Sequence, residues 1–266
     1  MISPERSADV ALARQMRQTA RDIFLHALGQ AGIEKAFRRH VHLDRSVLRI
    51  GEDLYDLSAE RRVFAVAIGK AAYTMMDCLH AQLGTRLTGI AVGAVEAAEH
   101  RLGVQYFRGG HPVPDTESWR AAEAVLRALK QQGPAALVIF LLSGGGSALL
   151  EKPISEDISL DDLMAAYKAL VLSGATIVEI NAIRKHLSAV KGGRLAQAAA
   201  PAQQVSILVS DVPDNAPDAL ASGPTMPDSS SVDDCYRLAE KYELLPQLPQ
   251  PVRRLFTERR LEETPK

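Results

Sequence analysis

Short apolar runs rich in β-branched residues, each closed by glycine or polar residues and then followed by helical spacing, constrain this chain more than any other feature. Val63–Ile68 (VFAVAI), Gly89–Val95 (GIAVGAV), Ala136–Leu142 (ALVIFLL) and Val205–Val209 read as buried strands, with a weaker one at Val104–Phe107. Helices are expected over Ala71–Leu83, after Asp115 with Trp119, Ala122, Leu126 and Leu129 on one side, over Leu160–Leu172, and from about Thr176 into the Lys191–Gly192–Gly193 break. Strands alternating with helices of this length define an α/β fold, a three-layer sandwich around a largely parallel central sheet.

Outside that pattern the chain is harder to read. Leu12, Met16, Ile23 and Ala27 recur at helical spacing, which predicts an amphipathic helix over 9–29 stopped by Gly29 and Gly32. The stretch to Arg62 is mixed, so 1–62 is expected as a helical segment packing on a core of 63–245. Pro246, Pro249 and Pro251 followed by Arg253, Arg254, Arg259 and Arg260 read as a linker over 246–266 toward a carboxy-terminal domain, or as a solvated tail.

Composition excludes several function classes. A formal net charge of −1 gives no global field for nucleic acid. No apolar run approaches the roughly 20 residues that span a bilayer, and the polar opening MISPERSADV is no secretory signal. Cys78 and Cys235 form no metal or redox pair, so a reducing cytoplasm is the expected compartment.

Ligands of open parallel sheets bind beyond the carboxyl ends of the strands, and the polar segments at those ends are the candidate site. Ser143–Gly144–Gly145–Gly146–Ser147 follows the strongest strand, and its glycines let backbone N–H groups converge on an anion. It matches neither the phosphate-loop nor the dinucleotide pattern, and a plain strand-to-helix turn is the competing reading. Lys70, after Gly69, is either a point charge for a phosphate or carboxylate or a solvated lysine that opposes the helix dipole. His111, in a loop stiffened by Pro112 and Pro114, is a substrate contact or a hydrogen-bonded loop histidine. The polar stripe of Asn181, Arg184, Lys185, Ser188 and Lys191, with Arg194 beyond the glycine pair, is a solvated face or an anion-facing wall. Asp211, directly after a strand, is a helix cap, a magnesium ligand or the acceptor of a hydroxyl proton. Together these groups suit phosphoryl transfer, which needs positioning and charge neutralisation more than covalent chemistry. No serine or cysteine triad and no zinc pattern is present.

The ordered motifs Ala67–Ala72 (AIGKAA), Gly109–Asp115 (GGHPVPD), Ser143–Leu150 (SGGGSALL), Arg184–Ala196 (RKHLSAVKGGRLA), Ser210–Val212 (SDV) and Ala221–Thr225 (ASGPT) resemble the class II glycerate 2-kinases, from about residue 12 onward. Members of that family often carry the older label hydroxypyruvate reductase, tied to tartrate breakdown. The resemblance implies a Rossmann-like amino-terminal domain, a cleft shared with a carboxy-terminal domain, and transfer of phosphate from ATP, with magnesium, to the 2-hydroxyl of D-glycerate. It implies a catalytic Lys70, a cleft lined by Ser143–Ser147, and Lys191, Arg194 and Asp211 as cleft residues without settled roles. The metal ligands stay open.

Two departures from the family pattern stand out. The chain is shorter than the family's, so it reads as an amino-terminal part with little or no kinase activity and an uncovered apolar face that would drive self-association. The run Val212–Pro213–Asp214–Asn215–Ala216–Pro217 lacks the glycine-acidic pair usual after Ser-Asp-Val, which puts that loop's conformation in doubt. The alternatives are a nicotinamide-dependent hydroxypyruvate reductase, for which the dinucleotide fingerprint is missing, and a non-catalytic anion-binding module.

Overall fold

The computed structural model describes residues 4–58, 61–212 and 216–266, and the chain divides into a unit ending at Asp56 and a larger one from Leu57. In the first unit, helix α1 (Pro4–Gln30) covers the expected helix, and α2 (Ile33–His40) follows it. The apolar positions of α1 do not behave as expected, because Leu12, Met16 and Ile23 are exposed. The stretch expected as helical also holds an antiparallel meander of β1 (Val41–Asp44), β2 (Val47–Ile50) and β3 (Asp53–Asp56). Four-residue strands interrupted by charges leave too little alternation to be read from sequence. Their turns use left-handed backbone at Arg45 and Gly51.

The second unit carries five parallel strands: β4 (Val63–Ile68), β5 (Leu87–Gly93), β6 (Val104–Arg108), β7 (Leu137–Ser143) and β8 (Gln203–Val209). Their order across the sheet is β6-β5-β4-β7-β8. The central β4 and β7 are buried along their whole length, as continuous apolar strands covered on both faces must be. Phe64, Val66 and Ile68 share a core with Ala121, Ala122, Val125 and Leu129 of α4 (Thr116–Leu129). Helix α3 (Ala72–Leu83) buries Met75, Met76 and Leu79 against β4, β5 and β7. It lies on the other face, where the alternation of strand side chains directs Val63, Ala65 and Ala67. Asp115 caps α4 as expected, accepting from the Ser118 amide at 2.9 Å. The chain runs from β4 out to one edge and returns through β7 to the other. That reversal opens a crevice beyond the carboxyl ends of β4 and β7.

A helical layer holds a second core. It contains α6 (Leu160–Leu172), α7 (Ile177–Leu187), α9 (Val232–Lys241) and α10 (Gln250–Thr257), while two short helices, α5 (Gly146–Leu149) and α8 (Arg194–Ala198), follow glycine turns. Residues 246–266 are therefore no linker. Pro249 is the N-cap of α10 and Pro251 lies in its first turn, where a missing N–H costs nothing, and Val252, Leu255, Phe256 and Leu261 are buried. Prolines that suggested a spacer in fact start a packed helix.

Glu179 ties α7 to α9. Its carboxylate accepts from Lys241 at 2.7 Å and from Tyr242 at 2.9 Å, and it closes a capping box with Thr176. The Lys241 hydrogen bond, followed by those from Thr176 and Tyr242, lowers its pKa from 4.5 to about 2. A depressed folded-state pKa gives stability that is whole above 4.5 and is lost as pH falls toward 2. Glu179→Gln should therefore lower stability at pH 7 and flatten its fall between pH 4.5 and 2 in urea titrations. An acid limb identical to the parent's would contradict this.

Candidate functional site

The crevice is built on one close approach. Gly69, at φ +125°, turns the chain out of β4 so tightly that a Cβ there would fall on Ser143. Ser143 Oγ accepts from the Ala71 amide at 3.0 Å, and the Lys70 amide donates to the Gly144 carbonyl at 2.9 Å. These bonds fasten the Lys70 turn to the glycine turn at the point where the sheet reverses direction.

Three expected site residues meet there. A Cβ on Gly145, itself at φ +87°, would stand 3.2 Å from the ring of His111 and 3.3 Å from Cε of Lys70, and one on Gly144 would fall on the Asp211 carboxylate. Lys70, His111 and Asp211 are all exposed. The backbone of Gly144–Gly145 thus lies among an ammonium, an imidazole and a carboxylate, with no side chain of its own in the way. Gly145 is also the N-cap of α5 and supplies no side-chain cap, which leaves the first N–H groups of that turn for an external acceptor. The His111–Pro112 peptide is cis.

The far side of the glycine turn rests on unusual backbone. Ala221, Ser222 and Gly223 are consecutive left-handed residues at φ +52°, +61° and +61°, and such runs persist only where the surroundings over-determine them. Here Ser222 and Gly223 accept from the amides of Gly192 and Gly193 at 3.1 and 2.8 Å. Ser147 Oγ lies 2.9 Å from Ser222 Oγ. The Ala221–Thr225 segment therefore buttresses Ser147. Residues 213–215, in the run after Asp211 whose conformation the sequence left in doubt, lie outside the described residues.

The expected basic stripe is resolved differently from either sequence reading. Lys185 and Lys191 are buried rather than solvated, and each is neutralised inside the protein. Lys185 pairs with Asp218 at 2.9 Å and Asp228 at 3.2 Å. Lys191 donates to the Ser147 carbonyl at 2.9 Å and pairs with Glu151, which is completely buried. Burial pushes the Lys191 ammonium below its ordinary pKa, against the pull of Glu151. Glu151 also accepts from Tyr167 at 2.8 Å and Ser188 at 2.6 Å. Burial, then the adjacent Glu151 charge, raises the Tyr167 phenol well above its usual range. Lys191 thus supports the glycine turn from behind.

Arg194 is not part of this constellation. Its guanidinium donates to the carbonyls of Glu262 and Glu263, both at 3.3 Å, so it fastens the segment that follows α10. Sequence reasoning also passed over Glu151 and gave Arg184 no separate role. Arg184 lies over the Tyr167 ring, 4.8 Å from its centroid, and its Nε is buried without a hydrogen-bond partner among the described residues. An acidic residue closing an apolar run was the only signal for Glu151.

The fold and these motifs define an α/β protein whose glycine turn stands beside Lys70, His111 and Asp211 at the sheet's reversal point. Residues 19–257 match the family described as a domain of unknown function, DUF4147, and the chain belongs to that family. It is 41% identical over 207 residues to a D-glycerate 2-kinase of Thermotoga maritima, which covers 77% of this chain and 48% of the relative. A crystal structure of a glycerate kinase from the same organism superposes with a TM-score of 0.79 at 34% identity, over 95% of this chain and 56% of that one. A Pyrococcus horikoshii crystal structure gives 0.83 at 33% identity, over 93% and 57%. The chain spans about half the length of these relatives.

Removing one partner of a buried ion pair leaves the other charge uncompensated, at about 3–5 kcal/mol. Glu151→Ala should cost that much in urea unfolding, and Glu151→Leu combined with Lys191→Met should recover most of it. A loss below about 1 kcal/mol for the single variant would show that the pair is solvated.

Proposed function

We propose that the protein to which this chain belongs transfers the γ-phosphoryl group of ATP to the 2-hydroxyl of D-glycerate. The convergence of Lys70, His111 and Asp211 on Gly144–Gly145 supports this reading above all. Phosphoryl transfer asks a protein mainly to hold charge in place, and the crevice offers the parts. Open amides of the α5 turn and the Lys70 ammonium would neutralise phosphate oxygens. His111 would donate to a phosphate or to the acid's carboxylate. Asp211 would accept the hydroxyl proton or bind magnesium.

Among the described residues no group of three or more His, Cys, Asp or Glu could hold a metal ion. Magnesium commonly takes one or two carboxylates and fills its remaining positions with phosphate and water. A single exposed Asp211 beside the glycine turn fits that habit, and the ion would supply further neutralisation of the phosphates. No described helix is long and apolar enough to cross a membrane.

Incubation of the whole protein that contains this chain with ATP and D-glycerate should yield 2-phosphoglycerate, and Lys70→Ala in that protein should lower kcat by 100-fold or more. That corresponds to about 2.7 kcal/mol of transition-state stabilisation. Lys70→Ala turning over like the parent would overturn the role given to Lys70. NADH oxidation with hydroxypyruvate, and no phosphate transfer, would favour the reductase.

A further inference from the structure

A second cavity adjoins the anion crevice and is chemically unlike it. It has a volume of about 550 Å³ and opens between the Pro112–Pro114 loop and α6. Ser147 and Ala148 form one wall, and Met164, Tyr167, Val171 and Leu172 of α6 form the other. The two spaces share their boundary. Pro112 follows His111, and Ser147 ends the glycine turn, so a molecule anchored at Gly144–Gly145 can extend directly into the cavity.

We propose that this cavity receives the base of the nucleotide whose phosphates lie at the glycine turn, an inference that rests on the phosphoryl-transfer reading above. A nucleotide is divided in the same way as the two spaces, with polyanion at one end and a flat apolar ring at the other. A three-carbon hydroxy acid would leave the apolar lining uncovered. The volume falls within the range of small-molecule sites, which combine apolar walls with a few placed polar groups. Met164 supplies a polarisable, adaptable surface for an aromatic ring. The charged groups on the lining are Arg184, which rests on Tyr167, together with Lys168 and Lys191. Tyr167 is in turn fixed by its hydrogen bond to Glu151. The buried Glu151–Lys191 pair therefore holds both ends: the glycine turn through the Ser147 carbonyl, and the cavity wall through Tyr167. Val171 and Leu172 are 58% and 72% exposed, more than a side chain committed to a core would be, which suits a wall that a ligand covers.

Saturation-transfer NMR with ADP, paired with amide shifts on adding pyrophosphate, tests this even if binding is weak. The adenine protons should receive the strongest saturation. Val171→Gln with Leu172→Gln, neutral changes at exposed helical sites, should reduce it at least threefold while pyrophosphate still shifts the amides of Gly145–Ser147. Equal saturation in parent and variant would place the base elsewhere and overturn the inference, with the phosphate site intact. Pyrophosphate shifts at the turn without saturation from ADP would overturn it as well. If neither ligand registers, the inference falls together with the phosphoryl-transfer reading.

Discussion

The candidate site depends on how closely β4 and β7 discharge their loops against each other. Gly69 has no side chain because Ser143 occupies the space, and two hydrogen bonds from the Lys70 and Ala71 amides lock the turns together. A bulkier residue at 69 would push the turns apart, and the ammonium of Lys70 would leave the backbone of Gly144–Gly145. The reversal of strand order makes a crevice, and this contact decides what stands in it.

Around the contact, charge is sorted by depth. Lys70, His111 and Asp211 face solvent, where they can exchange partners with a ligand. Lys185 and Lys191 are buried and already paired, so their charges serve the scaffold. A buried ion pair is weak evidence for net stability and costly to break. Its use here is to fix positions, since Glu151 gathers Tyr167 of α6 and both Ser188 and Lys191 of the segment after α7. The antiparallel bridge between Pro153 and Ser188 brings the segments of Glu151 and Ser188 side by side.

The second unit was legible in the sequence where local pattern and tertiary environment agree. VFAVAI and ALVIFLL are buried on both faces, so a continuous apolar run is their signature, and Asp115 and Thr176 announce helix starts by their capping chemistry. Much of the site was legible for the same reason, because glycine turns at strand ends are local features. Burial of the stripe on α7 was not, since the acids that neutralise Lys185 lie 33 and 43 residues away. Nor was the fate of Arg194: it follows a glycine pair in sequence, yet α8 carries it to the carbonyls of Glu262 and Glu263.

The central claim is that the glycine turn, with Lys70 beside it, is where this protein holds phosphate. Backbone amide shifts recorded during a tripolyphosphate titration test it most directly. Saturable changes should be largest at Gly145, Gly146 and Ser147 and should vanish in Gly144→Ala, whose added methyl displaces Asp211. Shifts centred instead on the Arg194 segment, or undiminished in that variant, would contradict the account.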